Sequence, residues 1–99
     1  MKRTEKEEIK RDGAKAVKNS GRGMRKGDAM KNKFLIDYKH CEKSHTVSVA
    51  NWRKLAKDAW NEHYKHPLLC LVLGDNSQHK LAVIEWPVFL ELMEGSDYE

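Results

Sequence analysis

The stretch "KGDAMKNKFLIDYKH", Lys26 to His40, decides how this chain is read. Its apolar run ends in Asp-Tyr-Lys, and strand ends are where a sheet displays polar side chains. Successive side chains on a strand alternate, so Leu35, Asp37 and Lys39 share one face and Phe34, Ile36 and Tyr38 the other. An acid and a base are thus set side by side, about 7 Å apart along the strand. A second acid, Asp28, stands nine residues before Asp37, just after a glycine.

Outward from this stretch the pattern is mixed. Residues 2–12 read as a charged helix with Ile9 as its chief apolar anchor, and Gly13 ends it. "AKAVK" reads as a short strand, and "NSGRGMRKGD" as a loop with three glycines and three cations. "AMKNKFLIDYK" supplies one strand, or two joined at "KNK". After Ser48, a plausible N-cap, Trp52, Leu55, Ala56, Ala59, Trp60 and His63 recur at helical spacing. Trp52 and Trp60 are expected to pack on the sheet.

"PLLCLVLG" has the continuous apolar character of a strand buried on both faces, and "KLAVIEW" is a further strand beyond the turn "DNSQ". Pro87 then opens a last short helix, "PVFLELME". A long helix between two apolar strands is the mark of a crossover unit. The fold class expected is therefore α/β, a mixed central β-sheet flanked by helices.

The 99 residues suit a single domain spanning 1–99. No apolar run approaches the 18 residues of a membrane span, and "MKRTEKEEIK" lacks the apolar centre of a signal peptide. Two cysteines, Cys41 and Cys70, fit reduced thiols in a cytoplasmic compartment, with Cys70 inside "LLCLVL" as a small core residue. Residues 1–33 carry twelve Lys and Arg against five Asp and Glu, a balance of +7, while 34–99 carry seven against ten, a balance of −3. A cationic front half suits a polyanionic partner, nucleic acid before membrane; a solvated lysine-rich surface is the plainer alternative.

A "GD" followed by an apolar strand ending in "DYK" resembles the PD-(D/E)xK nuclease superfamily. The layout is similar to its small Holliday-junction resolvases of archaea and bacteriophages. The likeness runs through "SGRG", "KGD", "FLIDYK", the helix after a serine, "PLLCLVL" and "LAVIEWPVFLEL". It implies a restriction-endonuclease-like core, αβββαβ, here with an extra C-terminal strand and short helix. It also implies a metal-dependent endonuclease acting on branched DNA, foremost four-way junctions, as a homodimer in the cytoplasm (that of the host, for a phage-encoded chain).

By the same resemblance Asp28 and Asp37 match the two motif acids and Lys39 the motif lysine. The backbone carbonyl of Tyr38 and a glutamate of the first helix, Glu5 with Glu8 as the alternative, would complete a site for Mg²⁺ or Mn²⁺. Ser20 matches a serine of the resolvases' loop. The chain departs from the pattern in having Gly27 where many relatives have proline, and in Asp37 where glutamate is commoner.

Carboxylate-held Mg²⁺ or Mn²⁺ suits phosphodiester hydrolysis, neutralising phosphate charge and activating water. Lys39 would stabilise developing charge. Each residue also has a plainer reading. Lys39 can pair with Asp37, Asp28 can cap a turn, Glu5 can be a solvated helix charge and Ser20 can bond locally. Arg22, Arg25, Lys26, Lys43 and His45 are expected to contact DNA phosphates. His40, Cys41, His45, His63 and His66 lack the paired spacing of structural zinc sites. A non-catalytic DNA-binding module and a nuclease of other branched, nicked or duplex DNA are the competing functions. The last segment places Trp86, Val88, Phe89, Leu92 and Met93 either in a dimer contact or in the monomer core.

Overall fold

The computed structural model describes residues 3–19, 23–63 and 65–95, with the backbone alone at 17–19 and 23–28. Its elements run α1 (Glu5–Arg11), β1 (Lys15–Asn19), β2 (Gly23–Lys31), β3 (Phe34–Cys41), α2 (Val49–Asn61), β4 (His66–Leu73), β5 (His79–Ile84) and α3 (Trp86–Glu94). One five-stranded sheet holds the strands in the order β1-β2-β3-β4-β5. Only β3 and β4 are parallel; the other neighbours are antiparallel. The mixed α/β expectation therefore holds, and α2 is the crossover between the parallel pair.

Local chemistry explains each boundary. Thr4 caps α1 in a reciprocal box with Glu7, and Gly13 leaves the helix at φ 65°, a conformation that glycine adopts without penalty. "KNK" resolves into a two-residue turn between paired Lys31 and Phe34, with Asn32 at φ 53°. Ser48 caps α2 by accepting from the Asn51 N–H at 3.2 Å.

Three expectations change. The first helix begins at Glu5 rather than at residue 2, because the capping box of Thr4 sets its start. The presumed loop "NSGRGMRKGD" is partly strand: β2 starts at Gly23 and pairs with β1 across a register shift between Ala16 and Lys18. Strand pairing has overridden the local preference of the glycines. Trp60 lies on the exposed side of α2, whereas Trp52 packs against the core as expected.

The sheet is covered on both faces. On one, Leu35, Leu69 and Leu71 meet Leu55 and Ala59 of α2. On the other, Ile36, Tyr38, Cys70, Val72 and Ala29 meet Ile9 and the α1 side. The alternation read from "FLIDYK" is thus real, and Asp37 and Lys39 belong to the α2 face. No described helix is long and apolar enough to cross a membrane.

Candidate active site

The β2–β3 ladder runs Lys31↔Phe34, Met30↔Leu35, Ala29↔Ile36 and Asp28↔Asp37, and there it stops. β3 continues through Tyr38, Lys39, His40 and Cys41 paired with β4. The two aspartate positions are therefore directly opposite each other at the mouth of a parting pair of strands. Like charges opposite one another on an antiparallel ladder are unfavourable. The side chain of Asp28 lies outside the described residues.

Asp37 keeps only 19% of its side chain exposed, and Lys39 Nζ lies 3.5 Å from its Oδ2, with Lys39 48% exposed. The ion pair considered as the plainer role of Lys39 is thus present. Half-exposed, it leaves the ammonium free to turn toward another anion. Burial pushes the Asp37 carboxyl above its ordinary value; Lys39 opposes this, Glu5 adds to it and His45 opposes it. These influences put Glu5, at the start of α1, and His45, beyond β3, within electrostatic range of Asp37.

A raised folded-state pKa means that the native state holds this proton more tightly than the unfolded chain. Stability then falls as pH rises from the ordinary 3.8 through the raised value, and the full cost is present at neutral pH. Asp37→Asn is expected to raise Tm at pH 7 in chelator and leave it unchanged near pH 3. Thermal melts at the two pH values check this; an equal or lower Tm at pH 7 would refute it.

Glu8 is a different kind of acid. It is fully buried, with Oε1 2.6 Å from Arg3 Nε, 3.7 Å from Lys80 Nζ and 3.8 Å from Arg11 Nε. Its charge is engaged by those cations, so of the two glutamates weighed for the site Glu8 is the one committed elsewhere. Tyr38 points its ring to the Glu8 side of the sheet and donates its hydroxyl to Asp12 Oδ2 at 2.6 Å. Burial, then that bond, raises the Tyr38 phenol far above its usual range. This acidic and basic cluster escaped sequence reading, because Arg3, Glu8, Asp12 and Lys80 share no local motif.

Ser20 and Arg22 lie outside the described residues, as do the side chains of Arg25 and Lys26, whose backbone is in β2. Lys43 is exposed and His45 half-buried in the segment after β3. Cys41 Sγ lies 3.6 Å from His45 Nδ1. His66 packs on Phe34 with ring centroids 5.9 Å apart, away from that pair. Among the described residues no three His, Cys, Asp or Glu side chains stand close enough together to share an ion. Cys70 is buried, its thiol pushed up to about 11 by burial, as befits an inert core residue.

The acidic residues whose backbones end this ladder are Asp28 and Asp37, and carboxylates are oxygen donors. Such a set fits a hard divalent cation such as Mg²⁺ or Mn²⁺ and suits soft metals poorly. No family model matches the chain, and neither a curated protein nor a solved structure matches it.

Proposed function

We propose that this chain is a divalent-metal-dependent endodeoxyribonuclease with a restriction-endonuclease-like core, acting on branched DNA and foremost on four-way junctions. The observation that carries the reading is the Asp28↔Asp37 pair at the last rung of the β2–β3 ladder, with Lys39 two residues on. A fold gains nothing from two opposed acids beside a buried carboxyl whose ionisation is disfavoured. A cation between them turns that cost into a binding site. A plain DNA-binding module has no use for acids at a phosphate.

Asp28, Asp37, Glu5 and the Tyr38 carbonyl would hold Mg²⁺ or Mn²⁺. When bound, the ion neutralises phosphate charge and makes its water nucleophilic near neutral pH. Lys39, half-exposed beside Asp37, orients the attacking water and balances charge developing on the phosphate. Lys43 and His45, with Arg22, Arg25 and Lys26, supply contacts that position the backbone without reading bases. Ser20 belongs to the same basic segment.

A gel assay of junction, flap and linear duplex DNA, with Mg²⁺ and with chelator, tests the reading. Metal-dependent cleavage, strongest on the junction, is expected. Binding without cleavage in any metal would favour the DNA-binding module, and equal cleavage of all three substrates a nuclease of broader range.

Symmetric resolution needs two active sites related by a two-fold axis, hence a homodimer. Of the apolar groups on α3, Val88 is buried, whereas Trp86, Phe89, Leu90, Leu92 and Met93 remain largely exposed. Trp86 and Phe89 lie against each other with ring centroids 5.4 Å apart. The monomer core thus uses little of this helix, which supports the dimer-contact reading of the segment. Trp86→Ser with Phe89→Ser should give a folded monomer that binds DNA yet fails to resolve junctions. Sedimentation equilibrium at micromolar protein checks it; a wild-type monomer with junction DNA present would refute the paired-site arrangement.

A further inference from the structure

We propose that the charged cluster on the sheet face opposite Asp37 positions the site, fixing α1, which carries Glu5, and the side chain of Tyr38, the residue whose backbone carbonyl lies between Asp37 and Lys39. The inference rests on the metal-dependent reading above and deepens it.

The cluster is unusually placed for seven residues of helix. α1 has too few residues to be stable alone and offers the sheet little apolar area beyond Ile9. Its attachment is polar instead, at both ends. At the N-terminal end Arg3 donates from Nε to Glu8 at 2.6 Å and from Nη2 to the Ser77 carbonyl at 3.1 Å. Its backbone N–H reaches Ser77 Oγ at 3.2 Å, so the turn before β5 grips the start of the helix. At the C-terminal end Lys80 of β5 donates to Asp12 Oδ1 at 2.7 Å, and Lys31 of β2 donates to the Asp12 carbonyl. Burial pulls the Asp12 carboxyl upward, but the bonds from Lys80 and Tyr38 outweigh it and hold it below its ordinary range.

A part-buried ion cluster around one fully buried carboxylate is a poor way to gain stability, since apolar side chains of similar volume would serve as well or better. What directional bonds supply is a single azimuth and register. Glu5 and Glu8 are three residues apart and share one side of α1. Holding Glu8 on Arg3 and Lys80 therefore dictates where Glu5 stands relative to Asp37. The same Lys80 lies 5.8 Å over the Tyr38 ring while Asp12 accepts the Tyr38 hydroxyl. One basic side chain of β5 thus braces both elements, α1 with Glu5 through Glu8 and the Tyr38 backbone through its ring. Glu8 Oε2, buried and without a hydrogen-bond partner among the described residues, marks the cluster as arranged around position rather than full satisfaction.

The test uses Lys80→Met, which keeps the stem and removes the charge, and Tyr38→Phe, which removes only the hydroxyl. Isothermal titration of Mn²⁺ into metal-free protein, without DNA, reads the site directly. Each variant should fold and bind DNA in chelator as wild type does, yet bind Mn²⁺ about 10-fold more weakly, the usual size of an outer-shell effect. In a Glu5→Ala background Lys80→Met should cost little further affinity, which a merely structural role would not predict. Wild-type Mn²⁺ affinity in both variants would overturn the positioning role while leaving the nuclease reading intact. If wild type itself takes up no Mn²⁺, both readings fall together. Should Lys80→Met not fold, Tyr38→Phe alone decides.

Discussion

Replacing Asp37 by asparagine should cut metal-dependent DNA cleavage by roughly 10²–10³-fold, the cost of losing one preorganised electrostatic group at a reacting centre. The amide is nearly isosteric and sits in the same half-buried place beside Lys39. It cannot supply the negative charge that holds a hard cation against a phosphate. DNA binding should survive or tighten, because a carboxylate close to a phosphate repels it until a metal is bound. Cleavage and filter binding measured on the same preparation separate the two effects. Full cleavage by Asp37→Asn, or by wild type in excess chelator, would sink the nuclease assignment.

The two glutamates of α1 should respond in opposite ways. Glu8→Ala leaves Arg3 and Lys80 without their shared buried anion, and removing one partner of such a set typically costs about 3 kcal/mol or more. For a domain of this size that lowers Tm by roughly 12 °C or more. Glu5→Ala removes a half-exposed carboxylate with no part in that cluster, so Tm should hardly move. Its loss should instead weaken Mn²⁺ binding. Melting curves and Mn²⁺ titrations of the two variants check the contrast; a stability loss in Glu5→Ala as large as in Glu8→Ala would mean that the helix charges are interchangeable and that neither is reserved for metal.

Much of this arrangement could be read before the chain was folded. "FLIDYK" showed its two faces because Leu35 and Ile36 are buried on opposite sides of a central strand, where alternation has physical force. The crossover helix announced itself by the spacing of Leu55 and Ala59 and by Ser48. The capping box of Thr4 and Glu7, which the reading of residues 2–12 as one charged helix passed over, places the helix start better than charge does. Other features were hidden for a reason. Glycine-rich β2 is strand because its partners supply the pairing, and no local preference reports that. Trp60 obeyed the helical period yet fell at the stripe's edge. The Arg3–Glu8–Lys80 cluster joins residues more than seventy positions apart, through contacts that only the closed sheet creates.

The hairpin that joins β2 to β3 is symmetric: four residues from Asp28 to Lys31, a two-residue turn, and four from Phe34 to Asp37. The interval between the acids is therefore a folded ruler, not a fixed count. Extra residues at Asn32 and Lys33 would lengthen the linear distance and leave the acids facing each other. A single residue inserted into either arm would send one acid to the opposite side of the sheet. Chains descended from a common ancestor with this one should thus vary in the spacing of their two acids while keeping them equidistant from the bend, and a search that demands a nine-residue gap would overlook them.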